Sequence, residues 1–219
     1  MESPIHDRAT AGRQLAAALR HYAGRDDLIV LALPRGGVPV AAGIARSLGA
    51  PLDVLLVRKL GLPGHPELAM GAIASGGVQV MNEDVVRHAG VSEEAVDAVL
   101  ARERQELERR ERVYRGDRPW PELTGRCVIL VDDGLATGAT MKAAIDAVRR
   151  QGAARIVVAV PVAPPQTVAE LKPLVDEVVC PLQPESFMAI GQWYRDFHQV
   201  SDAEVKGELD ELAPSPGKH

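Results

Sequence analysis

Short apolar runs alternate with segments of helical periodicity along most of the chain, and this alternation constrains the fold more than any other feature. The runs that read as buried strands are LIVLAL (28–33), LDVLLV (52–57), CVILV (127–131), RIVVAVPV (155–162) and DEVVCPL (176–182). Between them, apolar residues recur at helical spacing over 38–49, 139–152 and 165–175. Strands and helices that alternate at this spacing pair in parallel through right-handed crossovers. We therefore expect an α/β protein with a three-layer arrangement around a parallel sheet.

The two ends of the chain lie outside this alternation. Residues 7–24 carry apolar positions at helical spacing, with Asp7 as the N-cap and Gly24 as the end. Residues after 181 show no strand–helix repeat, and the last residues, APSPGKH, have the composition of a disordered tail. The predicted organisation is a core, a small C-terminal hood and a tail, at 1–180, 181–212 and 213–219.

A long insertion separates the second strand from the third. The polar, glycine-containing stretch 58–71 predicts a loop, and AIASGGVQVM (72–81) predicts a hairpin that turns at two adjacent glycines. Ser92 then caps a long helix through about Tyr114, and in its RERQELERRER segment nine of eleven residues are charged. We expect a helical insertion at about 82–115.

Composition excludes several classes of protein. Of the 219 residues 46% are hydrophobic and only 3% aromatic, and the formal net charge is -5. The negative charge argues against binding to nucleic acid or to an anionic membrane, and no apolar run is long enough to span a bilayer. Cys127 and Cys180 fall in separate apolar segments without metal-ligand spacing. These features predict a soluble cytoplasmic protein with two reduced core cysteines.

The stretch VILVDDGLATGAT (128–140) has the strongest functional signature. Asp132 and Asp133 follow a buried strand, where open parallel sheets bind their ligands. The small residues after them open a helix, whose free N–H groups and positive dipole end suit a phosphate. The carboxylates suit sugar hydroxyls, or a divalent cation directly or through water. A ligand with a phosphate at one end and a diol nearby is a ribose 5-phosphate.

This stretch resembles the binding motif of type I phosphoribosyltransferases, in which four apolar residues, two acidic residues and a TGGT-like loop hold phosphoribosyl pyrophosphate. The resemblance covers roughly residues 28–200 and implies the fold of that family. It implies that Asp132 and Asp133 bind the ribose and Mg²⁺. It also implies a 5'-phosphate loop formed by Ala136, Thr137, Gly138, Ala139 and Thr140. Ala139 departs from the pattern, because the family has glycine at that position.

Two further segments resemble the pyrophosphate-binding parts of the same enzymes. LPRGGVPVA (33–41) ends the first strand with Arg35, Gly36 and Gly37, which resemble the pyrophosphate loop. VRKLGLPGHPEL (57–68) resembles the basic segment and the mobile catalytic loop. We expect Arg58 and Lys59 to end a strand and to reach the leaving group, with Arg35 and Lys59 as catalytic cations.

The acceptor side of the site is less well defined. Glu67 is the candidate carboxylate for assisting an incoming base, because Ala136 stands where 6-oxopurine enzymes carry an aspartate. An ordinary surface glutamate is an equally good interpretation. In the resembled family a hood covers the acceptor, and Phe187, Trp193 and Tyr194 could stack on it. Each of them could equally form the small core of the hood.

We therefore predict a phosphoribosyltransferase that binds phosphoribosyl pyrophosphate with Mg²⁺ and transfers 5-phosphoribosyl to a nitrogenous acceptor, with release of pyrophosphate. A regulator that senses the same ligand without turnover is one alternative. An interaction protein that uses the charged helix 92–114, for a homodimer or another partner, is a second. The sequence leaves the acceptor open.

Overall fold

The strands of the protein form two sheets. In the computed structural model, which describes residues 4–214, the strands are β1 (Leu28–Ala32), β2 (Leu52–Val54), β3 (Val57–Leu62), β4 (His65–Ala74), β5 (Val78–Met81), β6 (Cys127–Val131), β7 (Arg155–Ala159) and β8 (Glu177–Val179). Five of them pair in parallel in the order β2-β1-β6-β7-β8, and β3, β4 and β5 form an antiparallel sheet. The parallel sheet confirms the predicted α/β class.

Helices cover both faces of the parallel sheet. The α-helices of the described chain are α1 (Arg8–Ala18), α2 (Gly37–Leu48), α3 (Glu83–Ala89), α4 (Glu93–Arg115), α5 (Ala139–Arg150), α6 (Pro165–Leu171) and α7 (Asp202–Leu212), of which α3 contacts the antiparallel sheet. Successive side chains of a strand point to opposite faces, so Leu28 and Val30 pack in one core cluster and Ile29 and Leu31 in another. The first cluster includes residues of α1 and α2, and the second includes residues of α5 and α6. This is the predicted three-layer arrangement.

The first helix begins as expected but ends earlier. The Asp7 carboxylate accepts a hydrogen bond of 2.7 Å from the backbone N–H of Thr10 and caps α1. The α-helix stops at Ala18, and residues Arg20–Tyr22 form a 3₁₀ turn before Gly24. Hydrogen bonds of the 3₁₀ type commonly tighten the last turn of a helix, so the end predicted from the glycine alone is several residues too late.

The stretch predicted as a loop after the second strand is a β-hairpin. β2 ends at Val54, and β3 and β4 pair from Val57↔Ala74 to Leu62↔His65 across a tight turn. Leu60 and Leu62 alternate as buried residues, and that period of two outweighs the glycines and prolines. The predicted turn at Gly76-Gly77 is confirmed, since β4 and β5 pair on either side of it.

The long charged helix is also confirmed. The Ser92 hydroxyl accepts from the backbone N–H of Ala95 at the start of α4, and the helix runs to Arg115. Its own residues Leu107 and Tyr114 are buried on one face, whereas most of its charged side chains face solvent. Among residues 4–214, no helix is both long and apolar enough to cross a membrane.

The predicted hood contacts the N-terminal end of the chain. Ile5 forms an isolated parallel bridge with Tyr194, and α7 packs on α2. The division into core, hood and tail stays a prediction. Within the predicted tail, Ala213 donates a backbone hydrogen bond to Leu209, and residues 215–219 lie outside the described part of the chain.

Candidate functional site

The PRGG loop and the aspartate pair meet at the carboxyl edge of the parallel sheet. β1 and β6 are neighbours in register, with Ala32 opposite Val131, so the loops that follow them are adjacent. A Cβ atom on Gly36 would lie 2.0 Å from Oδ2 of Asp133, and one on Gly37 would lie 2.7 Å from the carbonyl oxygen of Val131. Only glycine allows so close an approach at these two positions.

The loop before α5 has the features of an anion site. Gly138 is the N-cap with φ of 73°, and as a glycine it has no side chain to cap the helix. The first-turn N–H groups of a helix lack partners within it, and here the residues around them, apart from the glycine, are exposed over 136–140. The Thr167 hydroxyl donates a 2.6 Å hydrogen bond to the carbonyl of Ala136 and holds the loop in place.

Asp133 is locked into a buried ion pair. Nε and Nη2 of Arg8 both lie 2.9 Å from Oδ2 of Asp133, and the two side chains are 7% and 11% exposed. Arg8 also donates to the carbonyl of His198, and its guanidinium lies 4.1 Å from the centre of the Phe197 ring. The Asp133 carboxylate therefore joins the N-terminal helix, the sheet edge and the predicted hood.

Asp132 is the more open member of the pair. It is partly exposed, and its Oδ1 accepts a 2.8 Å hydrogen bond from the backbone N–H of Asp133. Desolvation, with the neighbouring negative charge second, raises the pKa of Asp132 well above its usual value. Desolvation also raises the pKa of Asp133, against the opposing charge of Arg8. A cation or a set of hydroxyl donors beside Asp132 would stabilise its charged form.

Arg35 extends from the PRGG loop toward α4 and α7. Its Nη1 lies 3.5 Å from Oδ1 of Asp202, and about 38% of the side chain is exposed. The peptide bond between Pro34 and Arg35 is cis. The guanidinium is thus held by a weak, solvent-facing pair that a stronger anion can replace.

Arg58 and Lys59 do not end a central strand as predicted. They lie near the start of β3, because the central strand stops at Val54. Nε of Arg58 donates a 2.6 Å hydrogen bond to Glu103 of α4, and Nζ of Lys59 donates to the backbone carbonyl of Glu67. The side chain of Arg58 is therefore engaged by α4 of the insertion, and that of Lys59 by the neighbouring strand β4.

Glu67 and the aromatic residues of the predicted hood differ in exposure. The Glu67 carboxylate is exposed on β4, 3.3 Å from Nδ1 of His65. Phe187 and Trp193 stack with ring centres 6.3 Å apart, and both are partly buried. Tyr194 is only 4% exposed, and its hydroxyl donates to the backbone carbonyl of Asp133. In this conformation Tyr194 packs in the same core cluster as α1 and α2 and offers no open stacking face.

Comparison with known proteins identifies the family of this chain. Residues 3–197 match the family described as "Phosphoribosyl transferase domain". The chain belongs to the phosphoribosyltransferase family. It is 52% identical over 204 residues to two Mycobacterium tuberculosis proteins named "Putative phosphoribosyl transferase MT0597" and "Putative phosphoribosyl transferase Rv0571c". The match covers 93% of this chain and 46% of each relative, so the chain spans about half the length of these curated relatives.

A solved structure shares this fold across nearly the whole chain. The crystal structure of TT1426 from Thermus thermophilus superposes with a TM-score of 0.84 at 46% sequence identity. The match covers 96% of this chain and 99% of that one. The insertion and the C-terminal helix are therefore included in a shared architecture.

Arg8 is the site-edge residue that sequence reasoning missed. The sequence pattern of residues 7–24 predicts a helix with its cap and its end, but gives Arg8 no role. One signal was available, because Arg8 shares a helical face with Ala11 and Leu15, which are both buried. A lone arginine on an apolar helix face needs a buried partner, but the sequence does not say that the partner lies 125 residues away.

The donor set at this edge fits a magnesium ion that arrives with a substrate. Within the described ranges of this phosphoribosyltransferase chain, no three His, Cys, Asp or Glu side chains are grouped to hold a metal ion. Mg²⁺ is bound in many proteins by one or two carboxylates together with substrate phosphates and waters. Asp132, which is partly exposed, suits that role better than Asp133, whose Oδ2 is taken by Arg8.

Proposed function

We propose that this chain binds phosphoribosyl pyrophosphate with Mg²⁺ and transfers 5-phosphoribosyl to a nitrogenous acceptor, with release of pyrophosphate. The observation that carries the proposal is the contact between the PRGG loop and the aspartate pair, where Gly36 leaves no room for a Cβ beside Asp133. The PRGG loop, the two carboxylates and the loop of residues 136–140 follow neighbouring strands at one sheet edge. That order matches the phosphate, diol and pyrophosphate of the proposed donor.

The 5'-phosphate would bind at residues 136–140. The N–H groups at the start of α5 lack partners within the helix, and the helix dipole favours an anion there. The hydroxyls of Thr137 and Thr140 belong to exposed residues and can donate to phosphate oxygens. Thr167 keeps the loop in this shape from below.

The ribose would bind at Asp132. Its carboxylate can accept hydrogen bonds from the two ribose hydroxyls and stabilise positive charge that builds on the sugar as the leaving group departs. Asp133 would position the loop and not touch the ribose. It anchors the loop to Arg8, and turning its side chain toward the ligand would break a buried ion pair.

The pyrophosphate would bind at Arg35, Gly36 and Gly37. Gly36 lets the loop lie against the aspartate pair, and the N–H of Gly37 already donates a 3.1 Å hydrogen bond to the carbonyl of Leu33. Arg35 would therefore make the main contact, by exchanging the Asp202 carboxylate for the incoming anion. When bound, Mg²⁺ would neutralise charge on the departing pyrophosphate. Arg58 and Lys59 would contribute only if the hairpin rearranged, because Arg58 is bonded to α4 and Lys59 to β4.

The acceptor would enter between the site and the predicted hood. Phe187 and Trp193 present the stacked pair that could flank a flat ring. Glu67 is a candidate base for the acceptor proton. A hydrogen bond from its own backbone N–H, with help from His65, lowers the pKa of Glu67, which favours its ionised form.

A screen for pyrophosphate release tests this function. Purified protein is incubated with phosphoribosyl pyrophosphate, Mg²⁺ and each purine or pyrimidine base in turn, beside Asp132→Asn as the matched control. Release with one class of base, lost in the variant, is the expected result. Release that is equal in the parent and the variant would contradict the site assignment.

A non-catalytic sensor on the same fold is the second candidate. The engaged positions of Arg58 and Lys59 favour it, because the cations expected to assist the leaving group already have protein partners. Tight binding of phosphoribosyl pyrophosphate without pyrophosphate release for any base would support the sensor.

A further inference from the structure

A cavity lies on the other side of the PRGG loop from the aspartate pair. Its volume is about 240 Å³, and its charged lining consists of Arg35, Arg109, Arg110 and Asp202. Pro34, Leu56, Val113 and Tyr114 complete the wall. Since β2, β1 and β6 are adjacent in that order, the cavity continues the sheet-edge site beyond Arg35, on the side of β2.

The C-terminal half of α4 is held firmly beside this cavity. Arg115 and Asp53 form a two-pronged ion pair of 2.8 and 3.1 Å, and both side chains are about 5% exposed. Leu107 and Tyr114 anchor the same half of the helix in the core. Arg109 and Arg110 are therefore carried on a fixed backbone, although their own side chains are long and partly exposed.

The cavity lining is cationic. Three arginines line it, against one carboxylate that already accepts a 3.0 Å hydrogen bond from the Tyr114 hydroxyl. Glu106 pairs with Arg109 and Arg110 at 2.8 and 2.9 Å, but it is not part of the cavity wall. Glu106 therefore holds the two arginines in place through Nε and Nη2 of Arg109 and Nε of Arg110. The remaining guanidinium N–H groups of both arginines are left for a ligand.

The neighbourhood of Tyr114 agrees with this placement. Burial, with the hydrogen bond to Asp202 second, raises the pKa of Tyr114, and the positive charges of Arg35 and Arg110 act in the opposite direction. Guanidinium groups from two distant parts of the sequence thus act on the same phenol. The wall of the cavity is where these two groups come together.

We propose that Arg109 and Arg110, together with Arg35, form an anion subsite that binds the distal phosphate of a pyrophosphate group. The inference rests on the proposed function and extends it, because the PRGG loop would hold the near phosphate and the insertion would hold the far one. Guanidinium groups recognise phosphate oxygens through paired, charge-assisted hydrogen bonds. The charged helix thereby becomes part of the binding site.

Calorimetric titration with inorganic pyrophosphate, and separately with inorganic phosphate, tests the subsite. The variants are Arg109→Gln with Arg110→Gln, and the control is Arg150→Gln. Arg150 pairs with Asp146 four residues earlier at 3.0 Å and is about half exposed, which matches Arg110 and Glu106. The double variant should bind pyrophosphate about ten-fold or more weakly, since charge-assisted hydrogen bonds are lost. The control should bind as the parent does.

A second variant gives a change in the opposite direction. Glu106→Gln frees both arginines from their carboxylate and should tighten pyrophosphate binding, while phosphate binding at residues 136–140 stays the same. Unchanged pyrophosphate affinity in the double variant, an equal loss in Arg150→Gln, or no gain in Glu106→Gln would each overturn the subsite.

The outcome also separates this inference from the proposed function. If the parent protein binds neither pyrophosphate nor phosphoribosyl pyrophosphate, the proposed function fails and the subsite fails with it. If the parent binds phosphoribosyl pyrophosphate and the double variant binds it equally well, only the subsite fails.

Discussion

Asp132 and Asp133 are consecutive residues in two different environments. The outer region consists of Asp132, which is partly exposed, and of residues 136–140, which are exposed except for Gly138. The inner region, made of Asp133 and Arg8, is buried and fully engaged. The comparison shows that a motif that reads as one unit can combine a ligand-facing half with a structural half. Substitutions in the two halves should therefore have opposite effects on stability.

The backbone geometry explains why the two residues separate. Successive side chains of an extended chain point to opposite sides, and Val131 packs in the same core cluster as α1. Asp133 continues on that side and meets Arg8, the first residue of α1. Asp132 turns the other way and keeps part of its surface exposed.

Substitution of Arg8 should have the largest effect. Arg8→Gln leaves the buried Asp133 carboxylate without its counter-charge, and breaking a buried pair from one side costs about 3–5 kcal/mol. Denaturant unfolding measures the loss, with Asp132→Asn as the matched control. Equal unfolding midpoints for the two variants would show that the inner region is not structural.

A larger residue at Gly36 tests the inner region, because its side chain would crowd the Asp133 carboxylate. In Gly36→Ala the new Cβ would overlap Oδ2 of Asp133, which Arg8 also holds, so one of them must shift. Such overpacking costs about 1–3 kcal/mol. Thermal melts measure the change, and Gly207→Ala, where a Cβ would meet nothing within 4 Å, is the control. Equal melts for the two alanine variants would mean that the loop is more adaptable than described.

The pH dependence of Asp132→Asn tests the outer region. The pKa of Asp132 in the folded protein is raised, chiefly by desolvation, so its ionised form destabilises the fold above that pKa. The variant should therefore melt higher than the parent at about pH 7. As the pH falls through the raised pKa toward the unfolded value of about 3.9, the difference should shrink. A variant that melts lower than the parent near neutral pH would contradict this account of Asp132.

Thr167 should give the smallest effect. Thr167→Val removes the hydrogen bond to the Ala136 carbonyl while keeping the shape of the side chain, at a cost of about 0.5–1.5 kcal/mol. Phosphate affinity should fall along with stability, because the loop of residues 136–140 loses its support. Calorimetric titration with inorganic phosphate checks this, and a variant that loses stability but binds phosphate normally would limit Thr167 to a structural role.

The local parts of the fold were predictable from the sequence. The strand, acidic pair and helix start at residues 128–140 follow from an apolar run that ends in charged and small residues. The approach of the PRGG loop follows from parallel pairing of β1 and β6. Both depend on patterns that are complete within short segments of the chain.

The non-local parts were not predictable in the same way. The partner of Asp133 comes from the first helix, and the partner of Arg58 comes from the insertion. The glycines and prolines of residues 58–71 predict a loop, whereas the alternation of Leu60 and Leu62, which indicates a strand, is short. The two ion pairs join segments that are 125 and 45 residues apart, and their spacing along the chain does not indicate that they are in contact.

Binding of phosphoribosyl pyrophosphate by the parent and by Asp132→Asn tests whether Asp132 holds the ribose. Isothermal titration is carried out with and without Mg²⁺. The account predicts Mg²⁺-dependent binding by the parent that weakens by roughly 1.5–3 kcal/mol, about ten-fold to a hundred-fold, in the variant. Phosphate alone should bind both proteins equally at residues 136–140. A folded Asp132→Asn that binds phosphoribosyl pyrophosphate as tightly as the parent does would contradict the claim that the outer aspartate holds the ribose.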